Sequence, residues 1–193
     1  MNLQSIFQKM KKHWGSIIFY AVILIFVFNT NAKSWVLRQI ISTGVLNTGI
    51  KKDAPIKQQA GTEFSFSSPD GNILSSSMLQ GKVVFINFWA SWCPPCRAEM
   101  PSLNNLYQAL KNDNRFVFLF VSEDDDRTKA SAYLEKNDFS IPVYYRNKVS
   151  PEMFSGTLPT TIVLDKKGNI VMKHTGIAGY DNEKFISQLK SLL

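Results

Sequence analysis

Val83–Trp89 is a nearly continuous apolar run that stops just short of Cys93-Pro94-Pro95-Cys96. No other junction in the chain leaves so few architectures open. Such a run is what a strand buried on both faces requires. Beyond it, Met100, Leu103, Tyr107 and Leu110 recur at helical spacing, so Cys93–Leu110 reads as a helix that the C-x-x-C opens. Pro94 suits a first helical turn, and Pro101 is expected to kink the helix. A helix N-terminus offers free N–H groups and positive potential, both of which stabilise a thiolate. The first cysteine is expected to be exposed there and to attack a disulfide. The second, one turn further on, is expected to resolve the mixed disulfide. A structural disulfide is the plainer alternative, but so small a loop restrains the unfolded chain little. A lone C-x-x-C is also half of a metal site, and Cu(I) held by two soft thiolates is the rival reading.

The chain has 193 residues, 45% of them hydrophobic, which is enough for one domain with a real core plus extra segments. It holds two cysteines and two histidines, His13 and His174. A four-ligand zinc site from Cys and His would need His13, which lies in the N-terminal leader. Arg97 follows Cys96, so C-x-x-C-H haem attachment is excluded. No metal site is expected, and no cofactor beyond a redox-active Cys93–Cys96 disulfide. His174 reads as an ordinary hydrogen-bonded strand residue.

The formal charge of +7 is uneven. Five of the 22 basic residues (Lys9, Lys11, Lys12, Lys33 and Arg38) lie in the first fifty positions, where there is no acid; that leaves 17 against 15 in the remainder. Without clustered charge on the folded part, nucleic acid is not an expected partner. The basic excess flanks the apolar run Trp14–Phe28, which spans about 22 Å as a helix against the ~30 Å of a bilayer core. The run reads as a signal anchor, with a cleaved signal peptide ending near Thr30-Asn31-Ala32 as the alternative. The organisation expected is a basic cytoplasmic leader at 1–13, a single transmembrane anchor at 14–32, an outside tether at 33–59 and a folded domain at 60–193. Within the tether, Trp35, Val36, Leu37, Ile40 and Ile41 are expected to lie along the membrane face or to form a plain linker.

Inside the domain, Glu63–Ser67, Phe116–Val121 and Ile141–Tyr145 read as strands, and Thr160–Leu164 with Ile170–Thr175 as a hairpin about the turn at 165–169. Asp126–Asn137 and Asn182–Leu193 read as helices, the first capped by the preceding acids. Of the run Asp124–Asp126, solvated side chains are otherwise expected. The fold class is α/β: a mixed central sheet flanked by helices.

The stretch Asn87-Phe88-Trp89-Ala90-Ser91-Trp92-Cys93-Pro94-Pro95-Cys96-Arg97 resembles the active site of the thioredoxin superfamily. Gly81-Lys82, Arg97-Ala98-Glu99-Met100-Pro101 and Gly156-Thr157-Leu158-Pro159-Thr160-Thr161 narrow the resemblance to the TlpA/ResA-like thiol–disulfide oxidoreductases, over about residues 60–193. The resemblance implies a thioredoxin-like fold, Cys93 as nucleophile, Cys96 as resolving cysteine and a cis peptide before Pro159. Trp92, Pro94, Leu158 and Pro159 would then meet the substrate, Leu158 through its free backbone.

Two departures matter. Thioredoxin carries a buried Asp where this chain has Asn87. ResA-like members carry a Glu at the end of the following strand, which places Glu123 as the proton acceptor for Cys96. Pro94 and Pro95 remove two N–H donors from Cys93, which argues against a strongly oxidising site. The function expected is therefore a monomeric, membrane-tethered reductase on the outer side of a bacterial inner membrane. It would take electrons from a membrane thiol donor and pass them to substrate protein disulfides, with apocytochrome c as one such substrate. A disulfide oxidase or isomerase on the same site is the other enzymatic direction.

Overall fold

The computed structural model describes residues 3–50, 58–59 and 63–193. Two helices open it, α1 (Leu3–Phe28) and α2 (Thr30–Ser42). They turn through 88° at a single residue, Asn29. The Asn29 side chain accepts the N–H groups of Asn31 and Ala32 and so caps α2. Among the described residues no single helix is long and apolar enough to cross a membrane; α1 and α2 meet that requirement only as a bent pair.

The remainder is one eight-stranded mixed sheet. Its strands are β1 (Gln58–Gln59), β2 (Ser65–Ser67), β3 (Ile73–Ser75), β4 (Val83–Trp89), β5 (Phe116–Ser122), β6 (Val143–Lys148), β7 (Thr160–Leu164) and β8 (Asn169–Thr175). They lie in the order β1-β8-β7-β4-β5-β6-β2-β3. β4, β5 and β6 run parallel, and β7 lies antiparallel to β4. β3 and the 3-10 turn Ser76–Leu79 that follows it have no counterpart in the expected elements. The other helices are α3 (Pro94–Leu110), α4 (Arg127–Lys136) and α5 (Glu183–Lys190).

β4 is buried at every position, as its composition requires. Its side chains alternate between two cores. Val83, Phe85 and Trp89 face a core built with Met100, Leu103 and Leu106 of α3, Tyr133 of α4 and Phe185 of α5. Val84, Ile86 and Phe88 face a second core closed by Phe64, Phe66, Leu79 and Phe154. There Phe88 and Phe154 stack with ring centroids 4.1 Å apart. Each such fully buried apolar side chain contributes about 1.5–3 kcal/mol. The β7–β8 turn holds Asp165, whose side chain accepts the N–H of Lys167 and of Asn169. Gly168 in that turn has φ +80°, where a side chain would be strained.

Two expectations about the backbone are corrected. α3 continues through Pro101 as one helix. Proline cannot donate to the carbonyl four residues back, that of Arg97. Arg38 of α2 supplies a donor instead, its Nη2 lying 3.4 Å from that oxygen.

The stretch expected to be a tether also packs on the domain as far as Ile50. Ile41 is buried against the domain instead of facing outward. Thr48 N–H donates to Gly179 O, and Gly179 N–H donates to Leu46 O. A Cβ on Gly179 would stand 2.8 Å from Asn47 Oδ1 and 3.2 Å from Ile41 Cγ2, so the close passage requires glycine there. Ile50 exchanges two hydrogen bonds with the Gln188 side chain, each 3.0 Å. The expected boundary at 59/60 falls beside residues outside the described set.

Candidate active site

The loop Ala90–Trp92 carries the chain from the end of β4 to the start of α3. Asp124 fixes it. The carboxylate accepts Ser91 N–H at 3.0 Å, Ser91 Oγ–H at 2.7 Å and Ser122 Oγ–H at 2.9 Å. Asp124 is therefore buried and structural, not solvated as expected. Asp126 does cap α4, accepting Thr128 N–H at 2.9 Å.

Cys93 stands at the N-cap of α3 and is joined to Cys96 by a disulfide. Its sulfur accepts the N–H of Cys96 at 3.3 Å. Pro94 and Pro95 occupy the two positions between and have no N–H to offer. Contrary to expectation, Cys93 is almost wholly buried, 3% exposed, and Cys96 is fully so. α2 is seated alongside: Ser34, itself buried, donates its hydroxyl to Pro94 O at 3.0 Å. Trp92 is the exposed member of the group, at 59%. The Leu158–Pro159 peptide is cis, as the resemblance implies. Among the described residues, neither the N–H nor the C=O of Leu158 has a hydrogen-bond partner.

Beneath the disulfide lies a polar cluster that sequence reasoning missed. Glu99, three residues after Cys96 on α3, is completely buried. One carboxylate oxygen accepts Ala178 N–H at 2.6 Å. Among the described residues the other has no partner, and neither has Asn87 Oδ1 nearby. A proton on Glu99 supplies the donor this pair of acceptors lacks. Burial accordingly pushes the Glu99 carboxyl well above the usual carboxylate range, against the pull of the Ala178 N–H and the nearby Asn87 amide. Asn87 Nδ2 and the Tyr180 hydroxyl both donate to Thr161 Oγ1, at 2.9 and 2.8 Å. Burial, with Glu99 beside it, raises the Tyr180 phenol well above its ordinary value. The signal for Glu99 was present: it lies one turn from Cys96 and from Leu103, on the inward stripe of α3.

Glu123 follows β5, and its N–H donates to Trp89 O at 2.8 Å. Its side chain is largely buried, with one oxygen paired with Arg146 at 2.9 Å and the other without a partner among the described residues. Burial raises its pKa, while Arg146 opposes the rise by charge and hydrogen bond. Among the described residues His174 Nε2 has no partner, so that nitrogen is not hydrogen-bonded as expected. Among the described residues no group of three or more His, Cys, Asp and Glu is gathered to hold a metal ion.

The Redoxin family model matches residues 56–187. The thioredoxin-like protein YneN of Bacillus subtilis is 32% identical over 129 residues, 65% of this chain and 76% of that protein. The thiol-disulfide oxidoreductase ResA of Bacillus cereus is 32% identical over 125 residues, 62% of this chain and 72% of that one. Among solved structures, a DsbE-type thiol:disulfide interchange protein from Chlorobium tepidum superposes with TM-score 0.58 at 26% identity, covering 70% of this chain and 96% of that one. A thioredoxin from Neisseria meningitidis gives TM-score 0.58 at 29% identity, covering 69% and 89%. With its C-x-x-C at the start of a helix beside a buried carboxylate, the chain belongs to the Redoxin family and is a TlpA/ResA-like protein thiol–disulfide oxidoreductase of the thioredoxin superfamily.

Proposed function

We propose that this protein is a membrane-tethered reductase of protein disulfides on the outer side of the inner membrane, working in cytochrome c maturation. One observation carries the reducing direction: the sparse donor set at Cys93 Sγ, a single N–H at 3.3 Å among the described residues. A thiolate so little stabilised leaves the disulfide form favoured, and a dithiol that prefers to be oxidised is a reductant. The relative's name, a thiol-disulfide oxidoreductase, fits the exchange chemistry.

In the reduced enzyme the Cys93 thiolate attacks one sulfur of the substrate disulfide, and the other sulfur leaves as a thiolate that takes up a proton. Leu158 pairs with the substrate backbone through its free N–H and C=O, with Trp92, Pro94 and Pro159 beside it. Cys96 then gives up its proton and attacks Cys93 Sγ, releasing the second substrate thiol. Two electrons and two protons pass to the substrate, and the Cys93–Cys96 disulfide remains for a membrane thiol donor to reduce. We assign the Cys96 proton to Glu99, acting in its ionised form after losing its own proton, ahead of Glu123. Among the described residues each carboxyl keeps one bare, buried oxygen, but Glu99 shares the helix of Cys96 and faces no cation, whereas Glu123 lies after β5 and is charge-paired with Arg146.

Anchoring rests on the apolar part of α1, Trp14–Phe28, about 22 Å long, with a locally thinned bilayer and α2 along its surface. The large apolar side chains from Trp14 to Phe28 stand exposed along it. The test is trapping. Cys96→Ser in the full chain should accumulate a mixed disulfide between Cys93 and a disulfide-bearing protein, seen by mass spectrometry and released by dithiothreitol. Absence of any Cys93 adduct contradicts the exchange mechanism.

A further inference from the structure

We propose that residues 29–50 form a rigid elbow that holds the dithiol against the bilayer surface, so that its exchange partners present their cysteines at that surface. The inference rests on α1 being the membrane anchor. Its own ground is that the chain between anchor and active site has no slack. α1 ends at Phe28, Asn29 alone makes the turn, and α2 starts at Thr30. With α1 across the membrane, an 88° turn lays α2 along the surface.

α2 is then fastened to the first turns of the redox helix. Ser34 donates to Pro94 O, inside the C-x-x-C, at 3.0 Å. Arg97, the residue after Cys96, donates to the Asn31 side chain. Arg38 donates to the Arg97 carbonyl that Pro101 leaves without its helical donor. Ile41 and the Gly179 crossing continue the seam, and the Gln188–Ile50 pair ends it.

The distance is short. Ser34 is six positions beyond Phe28, about 9 Å along a helix. Arg97 lines the same cleft as Leu24, Ile25 and Phe28, the apolar end of α1. Trp35 and Ile40, on the part of α2 turned away from the domain, are 62% and 42% exposed. A flexible tether would let the dithiol search a wide shell of solvent. The elbow instead gives it a high effective concentration toward cysteines at the interface and a low one elsewhere.

The experiment uses the reduced full chain in vesicles of phosphatidylethanolamine and phosphatidylglycerol. Two membrane-spanning peptides serve as probes, each with one cysteine as a mixed disulfide with nitrothiobenzoate. In one the cysteine directly follows the span; in the other a Gly-Ser spacer of about 30 residues intervenes. The Cys93 thiolate attacks the peptide sulfur and expels coloured nitrothiobenzoate. Cys96 then releases the peptide thiol, leaving the enzyme disulfide. The interface probe is expected to react about tenfold faster than the spaced one. Inserting about ten Gly and Ser residues between Phe28 and Asn29 should abolish that preference, leaving the rate on a soluble disulfide unchanged. Ile41→Asp, which undocks α2, should do the same. Equal rates on the two probes, or a preference that survives the insertion, overturn the proposal. Flotation with the vesicles reads the anchor separately: a chain that floats without a preference loses the elbow alone, and one that fails to float loses both.

Discussion

Glu99 accepts the backbone N–H of Ala178 at 2.6 Å with one oxygen, while its other oxygen, sealed from water, meets no donor. A buried carboxyl in that setting is stable as the acid, and once ionised it is a stronger base than an ordinary carboxylate for the proton of the thiol one helical turn away. Glu99→Gln keeps the acceptor for Ala178 and removes the titration. Release of substrate from the mixed disulfide should slow by about a hundredfold. Glu123→Gln should leave that rate nearly unchanged. Stopped-flow measurement of both variants decides between the carboxylates, and a slow Glu123→Gln beside a normal Glu99→Gln reverses the assignment.

The same group sets a pH dependence of stability. Its folded pKa lies well above the ordinary value of 4.5, so the folded state binds the proton more tightly than the unfolded one. That contribution is fully present below 4.5 and is lost as pH rises through the raised value. Urea unfolding of the wild type should show stability falling over that interval, and Glu99→Gln should flatten the fall. An identical pH profile in the variant would sink the claim.

Asn87 is the companion to that carboxylate. Asn87→Asp deletes the donor to Thr161 and sets a second acid beside Glu99. Two buried carboxyls cannot both ionise cheaply. The variant should lose about 3 kcal/mol in denaturant unfolding, with a larger loss at pH 8 than at pH 5.

Asp124 reaches the active site only through Ser91. Asp124→Ala leaves the Ser91 N–H and two hydroxyls without their acceptor, at a cost of about 1–3 kcal/mol each when buried. The loop before Cys93 should then loosen. Faster hydrogen exchange over 90–93 with protected β4 and β5 is the expected signature; uniform protection would contradict the role.

Pro95 withholds a donor from Cys93. Pro95→Ala restores an N–H at the second helical position, and one hydrogen bond to the thiolate is worth about 1 kcal/mol. The Cys93 pKa, followed by thiolate absorbance, should fall, and the reduction potential should rise by roughly 20 mV.

Much of this was legible in the sequence because it depends on local pattern. The run from Val83 to Trp89 permits only a buried strand, and Cys93-Pro94-Pro95-Cys96 carries the helix start and the chemistry together. What escaped depends on contacts between distant segments. Glu99 reads as a surface residue until its phase on α3, shared with Cys96 and Leu103, is set against the apolar stripe. Asp124 sits in an acidic run and is singled out only because Ser91 arrives from the neighbouring strand. α2 and the stretch beyond it have a linker's composition, and their seat exists because Gly179 has no side chain and Pro101 no N–H. Sequence spacing does not report such complementarity.

The central claim is that Cys93 and Cys96 form a reducing dithiol. Its most direct test is the reduction potential of the full chain in detergent, followed by Trp fluorescence in defined thiol buffers. The account predicts a two-electron transition near or below about −250 mV. A value near about −120 mV would mark an oxidant and contradict the direction of electron flow.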